Sequence, residues 1–400
     1  MKLTANRYLL IVLVLALVLP LAACRDASDG PDKNPPATDP IIEHPGTDEK
    51  PPLVYPGDTD TPADTDPGDT LPFDTNPVDP SETLPPVVEI PTLTSKTGTY
   101  HDYGNGIIRV DNQAFEEYGY VDSAAGYYAS LINSAAEALY GDTQVYCMAL
   151  PTAIGIVLPD DIAAIFPRFE DQGDATRKLF SKMSDAVNTV NCYESIMPHR
   201  DEYLYFRTDF HWNGPAAYYA YEAFCRTKGI TPYTLRERSE VQFSGFLGAL
   251  YNNSCGQDPI LAEEPDTVLA YRPYSRTASM KYTDWSGVVR DWSIIYDVSS
   301  WSPSSKYSTF AGGDSPFAEF YNPEVTDGSV CVIVKESYGN ALLPYLVDHY
   351  SVIYEIDYRY WDGDLIEFVR DHGADDLIFA NNMSMIRSNY LIGMLDEIIG

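Results

Sequence analysis

The sequence predicts an α/β domain, a three-layer sandwich on a mostly parallel central sheet, and three observations carry that expectation. Four short apolar runs, residues 145–150, 330–334, 352–356 and 377–380, lack the alternation of a half-exposed strand. Continuous apolar runs of this length suit strands covered on both faces. Each is followed by a polar or glycine-bearing segment and then a helical pattern, the alternation that builds parallel sheets between helix layers. Residues 99–400 leave about 300 positions, room for one large domain or for a core carrying an insertion.

The chain opens with Lys2 and Arg7, runs apolar through residues 9–19, and reaches Leu21-Ala22-Ala23-Cys24. A basic start, a short apolar stretch and small residues before a cysteine form a secretory leader with a lipobox. The stretch falls short of the about 20 apolar residues that span a bilayer. Residues 1–24 are therefore expected to be a lipoprotein signal with Cys24 as the lipidated residue. An uncleaved anchor would leave the rest of the chain in the same place, anchored at the membrane outside the cytoplasm.

Residues 25–98 turn abruptly to Pro, Asp and Thr, with repeats such as Asp58-Thr59-Asp60-Thr61-Pro62 and Asp64-Thr65-Asp66-Pro67. Such a tract buries too little apolar surface to fold. Its prolines favour extended conformations and its like charges repel, so a disordered stalk is expected. The tract holds sixteen acidic and four basic residues, −12, and the leader adds +2, so the formal −33 leaves −23 on the domain. An acidic domain argues against nucleic acid and against a polyanionic polymer, and favours a neutral or weakly charged glycan as partner.

Helical patterns cover residues 123–139, 215–227, 340–348 and 364–372. In the second, Asn213 is placed to cap, Pro215 suits the first turn, and Gly229 closes the end. Between about 231 and 323 the pattern dissolves into Tyr, Trp, Ser and Gly, an irregular or β-rich insertion. The 31 tyrosines of the chain offer amphipathic rings for a sugar-binding cleft, although most serve packing or surface. Cys147, Cys192, Cys225, Cys255 and Cys331 contain no C-x-x-C pair, so no zinc signature is present and buried thiols are expected.

Two segments carry chemistry. The first is Tyr205-Phe206-Arg207-Thr208-Asp209-Phe210-His211-Trp212-Asn213. Asp and His two apart on a loop let the carboxylate take a bond from His Nδ1 and leave Nε2 as a base. A structural Asp-His contact is an alternative, and a metal site ranks last because no third His or Cys ligand is near. The second is Val330-Cys331-Val332-Ile333-Val334-Lys335-Glu336-Ser337-Tyr338-Gly339-Asn340, a strand ending on a serine. The carboxyl end of a central strand is where α/β proteins place ligands. Helix capping alone would also explain a serine there.

Together the segments resemble the DHHW protein family of bacterial exported proteins, itself similar to the SGNH-hydrolase-like proteins of alginate O-acetylation. The resemblance spans most of residues 140–380. Beyond Tyr205 to Trp212 and Lys335 to Asn340, it rests on Tyr307-Ser308-Thr309-Phe310-Ala311-Gly312-Gly313-Asp314, on Pro344-Tyr345-Leu346 with His349-Tyr350, and on Asp357 with Arg359-Tyr360. It implies an SGNH or flavodoxin-like sandwich, with Ser337 as nucleophile, His211 as base and then acid, and Asp209 orienting it. Phe210 stands where the family name has a second histidine, and Glu336 where Asp is more usual. Oxyanion or substrate contacts are expected from the Ser337 N–H, Gly312, Gly313, Asn340, Asn382 and Arg387, although Gly312 and Gly313 suit a plain turn and Asn382 a helix cap. No metal or cofactor is required. A rival base, His349, should lie at the far end of the following helix.

The implied activity is O-acyl transfer or ester hydrolysis on an extracellular glycan through an acyl-serine, with a membrane acyl-delivery protein as a possible partner. The alternative is a non-catalytic glycan-binding or assembly protein that keeps the fold.

Overall fold

A computed structural model describes residues 92–400. The expected leader with Cys24, and residues 25–91 of the expected stalk, lie outside the described residues. The end of that tract is bound to the domain: the Ser95 N–H donates to Asp161 Oδ1 at 3.0 Å, and the Leu93 carbonyl accepts from the Asp160 N–H at 2.9 Å.

Thirteen strands are described: β1 His101–Asp102, β2 Ile107–Val110, β3 Gln113–Glu116, β4 Gln144–Leu150, β5 Val187–Val190, β6 Glu240–Phe246, β7 Asp266–Tyr271, β8 Ser279–Thr283, β9 Val289–Trp292, β10 Phe317–Tyr321, β11 Val330–Lys335, β12 Val352–Asp357 and β13 Asp376–Asn382. Eight of them form one sheet in the order β5-β4-β13-β11-β12-β10-β8-β9. The first five run parallel. The last three pair antiparallel. The protein is thus mixed α/β with a large, mostly parallel sheet. The four apolar runs of the sequence become β4, β11, β12 and β13, all interior to the sheet, with β11 and β12 its central pair. Cys331, Val332, Ile333, Val334, Leu377, Ile378 and Phe379 have no exposed surface, as strands buried on both faces require.

Three strands of the 231–323 region, β8, β9 and β10, extend this sheet, while β6 and β7 form a separate antiparallel pair. The Asp122–Ala138 helix packs on β4 and on the Asn389–Ile399 helix, and the Gly214–Lys228 helix packs on β5. The latter begins as its sequence directs. Asn213 Oδ1 accepts from the Gly214 N–H at 3.0 Å and from the Leu269 N–H at 2.8 Å, and Gly229 ends the helix in the left-handed region at φ 78°.

The expected helix over 340–348 is instead broken into a 3-10 turn at Ser337–Ala341, a single α-turn at Leu343–Leu346 and a 3-10 turn at Val347–His349. Pro344 is the physical reason: it has no N–H for residue 340 and its ring crowds that carbonyl. All five cysteines in the described residues are free and buried.

Candidate active site

Residues 205–212 fold back on themselves. Tyr205 and Trp212 form an antiparallel bridge, and the Leu204 carbonyl accepts from the Asn213 N–H at 2.7 Å. The loop between them is clamped by Asp266 at the start of β7. Its fully buried carboxylate accepts from the Arg207 N–H at 3.0 Å, the Thr208 N–H at 2.8 Å and the Thr208 hydroxyl at 2.6 Å. Thr208 Oγ1 in turn accepts from the Gly248 N–H at 3.0 Å. The loop therefore has little freedom where it presents Asp209 and His211.

Asp209 Oδ1 lies 2.6 Å from His211 Nδ1 and also accepts from the His211 N–H at 2.9 Å. Its other oxygen accepts from the Ala249 N–H at 2.6 Å. Burial pushes the Asp209 carboxyl up, but the neighbouring His211 and these two N–H donors more than offset it and hold the group below its ordinary value. A carboxylate accepts only, so Nδ1 carries the proton and Nε2 is left with a lone pair.

That lone pair faces the serine. His211 Nε2 lies 2.7 Å from Ser337 Oγ, within the reach that proton abstraction needs. Ser337 sits at the end of β11, on the first residue of the 3-10 turn. Glu336 before it is buried and ties two strand ends together, accepting from the Tyr338 N–H at 3.0 Å and the Asn382 N–H at 2.8 Å. Burial pushes its carboxyl pKa up.

Three aromatic residues join the Asp-His loop to the serine turn. Tyr307 stacks on the His211 ring at 4.1 Å and donates its hydroxyl to the Ser337 carbonyl at 3.0 Å. Trp212 donates its indole N–H to the Tyr338 carbonyl at 2.9 Å, and the Tyr338 hydroxyl donates to the Phe210 carbonyl. Beneath the turn, Asn340 Nδ2 donates to Asp314 Oδ1 at 3.1 Å, and Asp314 pairs with Arg359 at 2.9 Å. The Arg359 guanidinium also lies 2.6 Å from Asp357.

The remaining expected contacts separate. Asn340 is buried within one turn of Ser337, and its Oδ1 has no partner among the described residues. Gly312 and Gly313 have φ of 77° and 84°, and the Gly313 N–H closes a turn onto the Phe310 carbonyl at 2.9 Å. Gly313 is thus a turn residue rather than an oxyanion donor, since its N–H is already used. Asn382 caps the Met383–Ile386 helix, its Oδ1 accepting from the Met385 N–H at 3.0 Å. Arg387 lies 3.5 Å from Glu116 and 5.9 Å from the Tyr118 ring. His349 Nε2 is 2.6 Å from the Tyr221 hydroxyl, whereas Ser337 Oγ is met by His211, so His349 is no rival base; burial also pushes its pKa down to about 4. A groove of about 520 Å³ elsewhere, bordered by Lys96, His101, Arg109, Asp111 and Glu264, includes none of Asp209, His211 or Ser337.

A family model described as DHHW protein matches residues 75–356. The chain belongs to the DHHW family. A crystal structure of a DHHW family protein from Eubacterium siraeum is 27% identical and covers 74% of this chain and 95% of its own at a TM-score of 0.65. Bacillus cereus PatB1 is 17% identical over 71% of this chain and 98% of its own, with a TM-score of 0.59. The same protein with a sulfonyl adduct gives 16% identity, 71% and 97% coverage, and 0.58. At such identities the likeness to PatB1 is one of fold. Curated proteins give no match. In this DHHW chain the residue between Asp209 and His211 is Phe210, whose ring leans on the His211 ring at 4.3 Å and takes no part in the Asp-His-Ser line.

Sequence reading missed Tyr307, Gly248 and Ala249 as parts of the site. Tyr307 opens one of the motifs on which the family resemblance rests, which was the available signal. Gly248 and Ala249 act through backbone alone and leave none.

Proposed function

We propose that the protein is a serine-dependent O-acyltransferase or acyl esterase that works on O-acyl groups of an extracellular glycan, with transfer preferred over hydrolysis. The observation that carries this reading is the 2.7 Å approach of Ser337 Oγ to His211 Nε2, with Asp209 bound to the opposite ring nitrogen. In the first step Ser337 Oγ bonds to the acyl carbonyl carbon while its proton passes to His211 Nε2. Collapse breaks the ester bond, and the leaving alkoxide takes the proton from His211. Water or a sugar hydroxyl then gives its proton to His211 and bonds to the acyl carbon; collapse breaks the Ser337 Oγ–acyl bond, Ser337 Oγ takes the proton back from His211, and the acyl group leaves as the free acid or as the sugar ester. Proposed donors to the oxyanion are the Ser337 N–H and Asn340, with Gly312 as a contributor.

The same reading takes the helices as layers on the two faces of the sheet, and residues 231–323 as an insertion that shapes the site. It takes residues 1–24 as a lipoprotein leader lipidated at Cys24, and residues 25–91 as a stalk that carries the domain at the outer face of the membrane. A membrane protein would then deliver the acyl group. The convergence of base and hydroxyl favours turnover over the binding-only alternative.

Mass spectrometry of the full chain after incubation with p-nitrophenyl acetate, with and without glycans, tests the proposal. An acetyl group on Ser337 that passes to sugar is the expected result, and passage to water alone identifies an esterase. A chain that never acetylates at Ser337 overturns the reading.

A further inference from the structure

The turn between β8 and β9 is unusually well fastened for an exposed tip. Asp284 accepts from the Ser286 N–H at 2.9 Å, the Ser286 hydroxyl at 2.6 Å, the Val288 N–H at 3.0 Å and Arg290 Nε at 2.6 Å. The Asp284 N–H and carbonyl bond Val288 and Gly287 at 2.9 and 2.8 Å. What this turn holds out is Trp285, 58% exposed. Its ring meets Tyr360 edge to face, with centroids 4.7 Å apart at 85°. An exposed tryptophan contributes little to a core, and this one is held in place with its ring open to a partner.

The pair stands at the same end of the sheet as the nucleophile. Lys335 is in register with Asp357, Ile356 with Phe317, and Phe317 with Thr283, so the Trp285 turn rises beyond the strand ends that also carry Ser337. Contacts join the two places: Tyr360 lies under the Arg359 guanidinium at 5.0 Å, Arg359 binds Asp314, and Asp314 binds Asn340. Three strand steps separate β11 from β8, roughly 14 Å.

We propose that the exposed ring of Trp285, braced edge to face by Tyr360, is a stacking platform for a neutral pyranose of the acceptor glycan, several sugar rings from the one that receives the acyl group. This rests on the functional reading above and adds the class and length of the acceptor. Aromatic faces take the C–H face of a sugar ring, and the acidic chain, with Asp362 and Asp364 following Tyr360, disfavours a polyuronate. A single sugar does not bridge the span, so the acceptor is an oligosaccharide or polymer.

Calorimetric titration of the full chain with a β-1,4-linked N-acetylglucosamine hexasaccharide and with its monosaccharide tests this. The hexasaccharide should bind more tightly than the monosaccharide, Trp285→Ala should weaken it about tenfold, and Trp285→Phe should recover most of the loss. Thermal unfolding of each variant checks that the fold is kept. No hexasaccharide binding by the parent chain, equal binding by Trp285→Ala, or tighter binding of an oligouronate overturns the platform. Acetylation of Ser337 in the parent is followed in parallel, so a missing acyl-enzyme counts against the chemistry and not against the platform.

Discussion

Ser337 Oγ and His211 Nε2 meet at 2.7 Å although 126 residues separate them in the chain. The serine is delivered by the buried end of β11, and the histidine by a loop locked to Asp266 on one side and to Tyr307 and Tyr338 on the other. Two rigid supports on different elements are what a reactive pair needs if its geometry is to hold without substrate.

Ser337→Ala removes the atom proposed to carry the acyl group and little else. Ester turnover should fall by about 10⁴-fold or more, with thermal unfolding essentially unchanged because the hydroxyl fills little space. The check is p-nitrophenyl acetate hydrolysis beside a melting curve, and an active variant would reassign the nucleophile.

Asp209→Asn keeps the shape but turns the acceptor that fixes the His211 tautomer into a group that also donates. Turnover should drop by about 10⁴-fold. The variant should also change acid stability. Asp209 titrates below the ordinary 3.8 in the folded protein, so the unfolded chain binds more protons in that window. Its contribution is fully present above 3.8 and is lost as pH falls through the folded value. Denaturant midpoints measured down the acid limb should therefore depend less on pH in the variant than in the parent.

The parallel strands and the Gly214–Lys228 helix were legible because local signals and burial agree there: unbroken apolar runs in β4, β11, β12 and β13, and Asn213, Pro215 and Gly229 at helix ends. Asp209, His211 and Ser337 were legible as residues through the family motifs. Their convergence was not, since it depends on pairing partners far apart in sequence. The 340–348 segment misled because its apolar spacing continues across Pro344. Gly248 and Ala249 enter the site by the position of their backbone, which no side-chain pattern records.

Lys335, directly before Glu336, places its ammonium 2.6 Å from Glu355 and 3.5 Å from Asp357 with none of the three side chains exposed. Replacing it by methionine strands carboxylates in the core, and stability should fall by about 3–5 kcal/mol. Burial pushes the Glu355 pKa up from 4.5 to about 7. The folded state then holds the extra proton, so this group's contribution is present below 4.5 and is lost as pH rises through about 7. Glu355→Gln should flatten that loss, read as urea midpoints compared at about pH 5 and about pH 8.

Gly248→Ala separates positioning from chemistry, because residue 248 touches no reacting atom. A Cβ there would lie 2.2 Å from both Asp209 Cβ and Oδ2 and 2.5 Å from Cγ. A flexible side-chain tip can swing aside, but Asp209 Cβ is fixed to a loop that Asp266 holds, so the carboxylate or the Gly248 backbone must move. Either shift stretches the bonds from the His211 ring and the Ala249 N–H to Asp209. Overpacking of this kind costs about 1–3 kcal/mol, and a misplacement of about 1 Å costs on the order of 10²-fold in rate. The expected outcome is a folded protein with a modestly lower melting temperature and a kcat reduced about 100-fold, while KM for a small ester stays near the parent value. A variant with parental kcat would mean that the loop absorbs the methyl group and that Asp209 is not held as tightly as its bonds indicate.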